Sequence, residues 1–199
     1  MRVAIFLVGV CLFFSAAAAA QGPAGVGSEG GRPVTSASER DSNPWQFAVG
    51  YQYNRDNLLG SPFNTHGVDF SLARYFRRRF GVEAQVGTGF LGKTGQATTP
   101  PNLSSKSVFA GGGPRFTYTN NTRYEPWAHV VIGMEHFRFS QTSALLGSNT
   151  ALAGLAGIGL DVHLRHHFAV RIEADEMESH FFSAFQRSFQ AVGGVALGF

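Results

Sequence analysis

Residues 45–53 read WQFAVGYQY, and in this stretch large apolar side chains alternate with small or polar ones. Trp45, Phe47, Val49 and Tyr51 fall on one face of an extended chain, and the residues between them fall on the other face. Successive side chains of a β-strand point to opposite faces. This period of two therefore predicts a strand with one bulky apolar face and one small, polar face.

The same alternation returns seven more times before the end of the chain, with no apolar stripe of helical period between the repeats. The fourth segment is the least regular, because Pro114 lacks the N–H that a strand interior donates. The predicted strands are 45–53, 67–76, 80–90, 108–118, 126–137, 151–164, 168–175 and 189–199. The sequence therefore predicts an all-β domain of eight antiparallel strands.

The connections between these segments alternate in length. Short turns are predicted at 77–79, 119–125 and 165–167, and long polar loops at 54–65, 91–106, 138–150 and 176–187. An even strand number, with tight turns at one end and long loops at the other, is typical of an up-and-down transmembrane β-barrel. We therefore expect residues 45–199 to close into such a barrel.

The first 44 residues have a different composition. Arg2 precedes an apolar run over residues 3–14 and a small-residue end at Ala18-Ala19-Ala20, which is the pattern of a cleaved signal peptide over residues 1–20. Residues 21–44 are rich in Gly, Ser and Pro and predict a flexible periplasmic leader. The single cysteine, Cys11, lies in the segment to be removed, which excludes disulfides and thiolate metal sites from the mature chain. The alternative is lipid attachment at Cys11, although the residues before Cys11 match the acceptor motif of lipoproteins poorly.

The composition indicates which way the two faces of the barrel point. The chain has 25 Gly and 19 Phe but only 15% charged residues, and its net charge of +3 comes from scattered arginines, with no footprint for nucleic acid. A soluble barrel with an apolar ligand inside would place the glycine-rich faces in water, where they carry too little charge for good solubility. Facing a narrow eight-stranded lumen, the same glycines leave room for charged side chains.

We therefore predict a polar network in the lumen, where carboxylates pair with arginine and histidine because an unpaired buried charge is costly. Its expected members are Asp69, Glu83, Arg115, His129, Glu135, Asp161, Arg171, Glu173 and Asp175. The large side chains at the strand ends, such as Trp45, Phe76 and Phe80, are expected at the two lipid interfaces.

Four segments resemble the small outer-membrane β-barrel domain family of Gram-negative bacteria. They are YFRRRFGVEAQVGTGF (75–90), FAGGGPRFTY (109–118), GIGLDVHLRHHFAVRIEADE (157–176) and GGVALGF (193–199). The resemblance implies an eight-stranded up-and-down barrel among outer-membrane lipids. It also implies insertion by the outer-membrane assembly machinery, which reads a last strand that ends in an aromatic residue. Phe199, with Leu197 and Val195 before it, matches that signal.

Few residues have the pattern of a chemical site. His163, His166 and His167 surround a short turn with Arg165, which favours an exposed basic turn over a metal site. Arg77-Arg78-Arg79 is interpreted as a solvated turn, and FAGGGPRF lacks the lysine and helix of a phosphate loop. We therefore expect neither a metal nor a cofactor.

Glu178, His180 and Ser183 are the best candidates for catalysis, because activation of a hydroxyl needs a base and an orienting acid. They do not match the H-x-S pattern of outer-membrane lipid deacylases, so the sequence favours a protein that is not an enzyme. The leading hypothesis is a structural, adhesive or interaction role carried by the four long loops. A narrow conduit for small solutes is compatible with this role, whereas a wide pore is not expected from eight strands. The alternatives are a soluble periplasmic barrel for a hydrophobic ligand and a lipid-modifying enzyme.

Overall fold

The computed structural model describes residues 44–58, 61–91, 103–118, 122–141, 144–165, 167–181 and 184–199. The predicted signal peptide and residues 21–43 of the predicted leader lie outside these ranges. The strands are β1 (Trp45–Leu58), β2 (Ser61–Arg77), β3 (Phe80–Leu91), β4 (Leu103–Thr117), β5 (Tyr124–Gln141), β6 (Ala144–Arg165), β7 (Phe168–Phe181) and β8 (Ala184–Gly198). No helix in the described ranges is long and apolar enough to cross a membrane.

Each strand pairs with the next in antiparallel register, and β8 pairs with β1, so the sheet closes into a barrel. Trp45 and Phe199 meet at the seam, where each backbone N–H donates to the other residue's carbonyl, at 3.1 and 3.0 Å. We call this end of the barrel, which also holds the β2–β3, β4–β5 and β6–β7 connections, the terminal end, and the opposite end the distal end. The predicted eight-stranded antiparallel barrel is confirmed.

The predicted loop lengths are largely wrong. β1 continues to Leu58 and β2 begins at Ser61, and the β5–β6 and β7–β8 hairpins are equally tight. The segments predicted as loops at 54–65, 138–150 and 176–187 are therefore mostly strand, and only the segment at 91–106 contains a long connection, between Leu91 and Leu103. Near the distal end both faces of the strands carry polar residues, so the hydropathy alternation disappears although backbone pairing continues.

The outer surface of the barrel is apolar between the two ends. Its exposed large side chains include Phe70, Val86, Val130, Ile132 and Ile172, which come from four different strands. At the terminal end the Arg74 guanidinium lies 5.1 Å from the centre of the Trp45 ring, an arrangement suited to a lipid interface. The soluble-barrel alternative requires the opposite arrangement, with the apolar faces inside.

The interior is mostly polar, with one layer of large apolar side chains and a small cluster of Ala48, Ala169 and Ala196. Phe109, Val131, Leu155 and Met177 pack together with Ala153 on the inner faces of β4 to β7. This apolar layer lies on the distal side of the charged residues described next, because on β5 Val131 follows His129 towards the distal end.

Candidate functional site: a polar network across the lumen

The side chains of all the residues expected in the lumen are buried inside the barrel. They are Asp69, Glu83, Arg115, His129, Glu135, Asp161, Arg171, Glu173 and Asp175. They reach the interior from β2 to β7, because each occupies an inward position of the two-residue period. Most of them belong to one connected set of hydrogen bonds and ion pairs, which we call the lumen network.

Asp161 is the centre of the lumen network. Arg171 donates to both of its carboxylate oxygens, from Nε at 2.8 Å and from Nη2 at 2.9 Å. Arg115 Nη2 is 3.4 Å from Oδ2, the Trp127 indole N–H donates to Oδ1 at 3.1 Å, and Gln46 Nε2 donates to Oδ2 at 3.0 Å. One carboxylate from β6 thus links β1, β4, β5 and β7.

Trp127 brings the two arginines close together. The Arg115 guanidinium carbon is 3.7 Å from the centre of the indole ring, and that of Arg171 is 4.8 Å from it. The indole lies over Gly159 on the neighbouring strand, within the volume that a Cβ atom there would occupy. The ring therefore stabilises two buried cations through cation–π contacts while Asp161 supplies the opposite charge.

His129 connects a second group of carboxylates to the network. Its Nδ1 is 2.9 Å from Glu83 Oε2, and its Nε2 is 3.1 Å from Asp175 Oδ1 and 3.8 Å from Glu173 Oε1. Glu83 also accepts a hydrogen bond from Arg115 Nη1 at 2.8 Å, which joins the histidine group to the Asp161 centre. Sequence reasoning predicted no metal site, but one ligand atom each of His129, Glu173 and Asp175 lies within 4.8 Å of the others.

Gln85 bridges the lumen from wall to wall. Its Nε2 donates to Asp69 Oδ2 at 3.0 Å and to Glu173 Oε1 at 3.2 Å. Gln85 lies on β3 and Glu173 on β7, which are opposite strands of an eight-stranded ring. The polar side chains therefore cross the barrel interior instead of lining its wall.

Glu135 lies apart from the lumen network. It lies nearer the distal end, close to Asp56, and is hydrogen bonded to the Ser179 side chain. Sequence reasoning grouped it with the other carboxylates, but on β5 the apolar Val131 lies between Glu135 and His129.

Sequence reasoning missed several members of the lumen network. Gln46, Gln85 and Trp127 contribute side chains to it, and Tyr75 donates its hydroxyl to Gln46 Oε1 at 3.1 Å. The signal that could have found them is their position in the two-residue period of each strand, because residues at positions of the same parity point to the same face. Trp127 has the same parity as His129 on β5, and Gln85 has the same parity as Glu83 on β3, so both side chains point inward.

The catalytic candidates of the sequence do not form a described site. Glu178 and His180 lie on β7, whereas Ser183 lies outside the described residues. Glu178 accepts a hydrogen bond from Arg187 Nε at 2.9 Å, and Glu176 lies 3.2 Å from the same nitrogen. These contacts raise the pKa of Arg187, with the Glu178 hydrogen bond as the larger cause.

The histidines near 165 do not form one described cluster. His163 lies 3.3 Å from the buried Glu125 carboxylate, while the exposed His167 contacts the Gly198 carbonyl oxygen through Nδ1 at 3.1 Å. His166 lies outside the described residues. Arg77, Arg78 and Arg79 are exposed at the terminal end, as the sequence predicted.

Solved structures with the same architecture are small outer-membrane β-barrels. Ail, the attachment invasion locus protein of Yersinia pestis, has a TM-score of 0.57 at 17% identity, covering 79% of this chain and 99% of its own. Neisserial surface protein A has a TM-score of 0.63 at 8% identity, covering 78% and 97%. The N-terminal β-barrel domain of Pseudomonas aeruginosa OprF has a TM-score of 0.54 at 10% identity, covering 79% and 98%.

These likenesses show that the chain has the fold of the small outer-membrane β-barrels. Neither a protein-family model nor a curated protein matches the sequence.

Proposed function

We propose that this protein is an outer-membrane β-barrel whose role is adhesive or interaction-based and is carried by its distal hairpins. The apolar outer surface supports contact with membrane lipids, because exposing it to water would be unfavourable. The fold supports a location in the outer membrane, with the terminal end in the periplasm and the distal end outside the cell.

The length of the strands supports a surface above the lipid. β5 has 18 residues and β6 has 22, whereas a tilted strand crosses the bilayer core with about 9–11 residues. The outer face of this hairpin turns polar at His136 and Arg138 on β5 and at Ser148 and Thr150 on β6. The hairpin therefore projects into the extracellular space.

The observation that carries the proposal is a pair of cations on this outer face. Lys106 and Arg138 lie directly opposite each other on β4 and β5, and both are exposed. Like charges in this position are destabilising. In the described parts of the strands, the outward-facing carboxylates are Glu176 and Glu178, and both already contact Arg187. In the part of the chain that the structure describes, the Lys106–Arg138 pair thus has no carboxylate partner on the outer face, which leaves it available to an external anion.

An anionic polysaccharide supplies such charges at regular spacing. Ail, which has the same fold, has been solved in complex with the heparin analogue sucrose octasulfate, with a TM-score of 0.56 to this chain at 18% identity. We propose that the distal basic pair of this protein binds sulfated or phosphorylated saccharides.

Binding of fluorescent heparin to the barrel in detergent micelles tests the proposal. The double variant Lys106→Ala with Arg138→Ala is expected to weaken binding roughly thirtyfold, at about 1 kcal/mol for each cation facing an anionic surface. Arg187→Ala is the matched control, because Arg187 is equally distal but already neutralised by Glu176 and Glu178. No binding by the wild type, or an equal loss in the control, would contradict the proposal.

A wide pore is not part of this proposal. The Gln85 amide and the Glu173 carboxylate meet across the lumen at 3.2 Å, which supports a filled interior. We expect no porin-like conductance in planar bilayers, and steady conductance of the wild type would refute this part of the proposal.

We also propose that the protein is not a lipid-modifying enzyme. The Glu178 carboxylate is engaged by Arg187, so it is poorly placed to orient His180 as a base. The membrane lipids of cells that express the protein are expected to match those of cells with an empty vector. A lipid change that disappears with His180→Ala would establish catalysis.

A further inference from the structure

We propose that His129, Glu173 and Asp175 bind one divalent transition-metal ion inside the barrel, a site independent of the distal saccharide surface. The three residues come from β5 and β7, and their side chains are buried. They offer one imidazole nitrogen and two carboxylate oxygens, all within 4.8 Å of one another.

The spacing of these atoms is close to that of a metal site. Two ligands that are each about 2.1 Å from one ion lie at most about 4.2 Å apart. His129 Nε2 is 3.1 Å from Asp175 Oδ1 and 3.8 Å from Glu173 Oε1. Both distances lie within the range that two donors on one ion can span.

The other side of the imidazole already has the partner that metal-bound histidines use. His129 Nδ1 lies 2.9 Å from Glu83 Oε2, and Arg115 holds that carboxylate through a hydrogen bond of 2.8 Å to its other oxygen. A carboxylate on the far nitrogen fixes the orientation of the ring and directs Nε2 to the metal. Metal binding would replace the proton on Nε2 and leave the Nδ1–H donor to Glu83 in place.

The charges of the lumen network provide a separate argument. At ordinary ionisation, five buried carboxylates, those of Asp69, Glu83, Asp161, Glu173 and Asp175, face two guanidiniums and one imidazole. Negative charge therefore remains in an interior where an uncompensated charge is costly. A bound dication would offset part of it.

Two buried oxygen atoms at the proposed site, one on a ligand and one next to it, have no hydrogen-bond donor among the described residues. They are Asp175 Oδ2 and Gln85 Oε1. Gln85 is 1% exposed, and its amide nitrogen already donates to Glu173, so the amide lies at the edge of the proposed site. Buried acceptors without donors are rare. An ion, or a water molecule on that ion, would satisfy both oxygens.

Polar side chains connect this site to the distal end along β1, β2 and β8. Gln52 and Asp69 both border the space left by the missing side chain of Gly87. Gln52 Nε2 in turn donates to Gln190 Oε1 at 3.0 Å and to Asn54 Oδ1 at 2.8 Å. A cation entering from outside therefore has polar partners on one side of the apolar layer.

The ligand set indicates the class of metal. Imidazole with carboxylates suits Zn²⁺, Mn²⁺ or Fe²⁺, whereas Mg²⁺ and Ca²⁺ prefer all-oxygen sites. We therefore expect Zn²⁺ and Mn²⁺ to compete for the site and Mg²⁺ at equal concentration to leave them bound.

Metal analysis of the folded protein tests the proposal. The purified protein in detergent micelles is stripped with a chelator, dialysed against Zn²⁺ or Mn²⁺ alone, passed through a desalting column and analysed for metal by mass spectrometry. We expect one ion per chain in the wild type and at least a tenfold lower affinity in His129→Gln and in Asp175→Asn.

Glu135→Gln is the matched control, because it also removes a buried lumen carboxylate but lies outside the proposed site. It should bind metal like the wild type, and a heat-shift gel checks that each variant is folded. Release of protons on addition of Zn²⁺ to the wild type gives a readout that needs no variant. Absence of retained metal in the wild type, or an equal loss of metal in Glu135→Gln, would overturn the proposal.

Discussion

The carboxylate of Asp175 occupies the space that a Cβ atom at position 157 would fill, so Gly157 and Asp175 fit together as neighbours across β6 and β7. Because of this fit, Asp175 reaches His129 on the far side of β6. A glycine on the inner wall is thus a requirement for a particular charged contact. The fit also makes the contact sensitive to a single methyl group.

Gly157→Ala is expected to destabilise the barrel by about 1–3 kcal/mol, because the new methyl group displaces Asp175 and leaves buried polar atoms without partners. The midpoint of urea unfolding in micelles measures the effect. Gly154→Ala is the control on the same strand, since no atom lies within 4 Å of a Cβ at that position. Equal midpoints for the two variants would show that the fit between Gly157 and Asp175 is unimportant.

Removal of the central carboxylate should be far more costly than removal of a surface ion pair. Asp161→Ala removes the carboxylate that accepts two hydrogen bonds from Arg171 and contacts Arg115, and we expect a loss of about 3–5 kcal/mol in the free energy of unfolding because the buried Arg171 loses its closest counter-charge. Arg187→Ala breaks an exposed pair with Glu178 and should cost at most about 1 kcal/mol. Urea unfolding of both variants checks the difference, and comparable losses would contradict it.

The two tryptophans should report opposite sides of the barrel wall. Trp127 is buried in the lumen, whereas Trp45 lies on the outer face beside Arg74. In brominated lipid vesicles, the fluorescence of the Trp127→Phe variant, which retains Trp45, should be strongly quenched. The Trp45→Phe variant, which retains Trp127, should be quenched much less. Stronger quenching of Trp127 would mean that the two faces of the strands are exchanged.

A charge on the outer wall should oppose membrane insertion. Ile132 is 63% exposed in the apolar part of β5, so Ile132→Arg is expected to cost about 2–4 kcal/mol of folding free energy in lipid. Ser148→Arg, on the polar outer face near the distal end of β6, is the control and should change little. Folding titrations in vesicles measure both, and tolerance of Ile132→Arg would argue against a lipid contact at this surface.

The terminal aromatic residue is expected to matter for assembly in cells more than for stability. Phe199→Ala should lower the amount of protein in the outer membrane, because the proposed assembly signal consists of Phe199, Leu197 and Val195. Its unfolding midpoint in micelles should stay close to that of the wild type. Phe76→Ala removes another exposed aromatic ring at the terminal end and serves as the control. Equal membrane levels for the two variants would refute a special role for Phe199.

Hydropathy alternation was sufficient to predict the strand number and the faces. In the segment from Phe80 to Phe90, for example, mostly apolar side chains alternate with glycines and polar side chains. A strand places these two sets on opposite faces. The alternation ends near the distal end of the barrel, where β1 continues to Leu58 with polar residues on both faces. Strand ends in water were therefore not predictable from hydropathy, and three of the four long loops were assigned wrongly.

The sequence by itself determined an eight-stranded barrel with charged residues inside, because a period of two separates the glycine-rich faces from the bulky ones and the glycine-rich faces carry too little charge for a surface in water. It did not determine which charges meet. Gln85 and Glu173 are 88 positions apart in the chain, and Asp161 and Gln46 are 115 apart. Only closure of the barrel, with its particular register between strands, brings such residues within hydrogen-bond distance. The tertiary structure therefore decided the lumen network and the group of His129, Glu173 and Asp175.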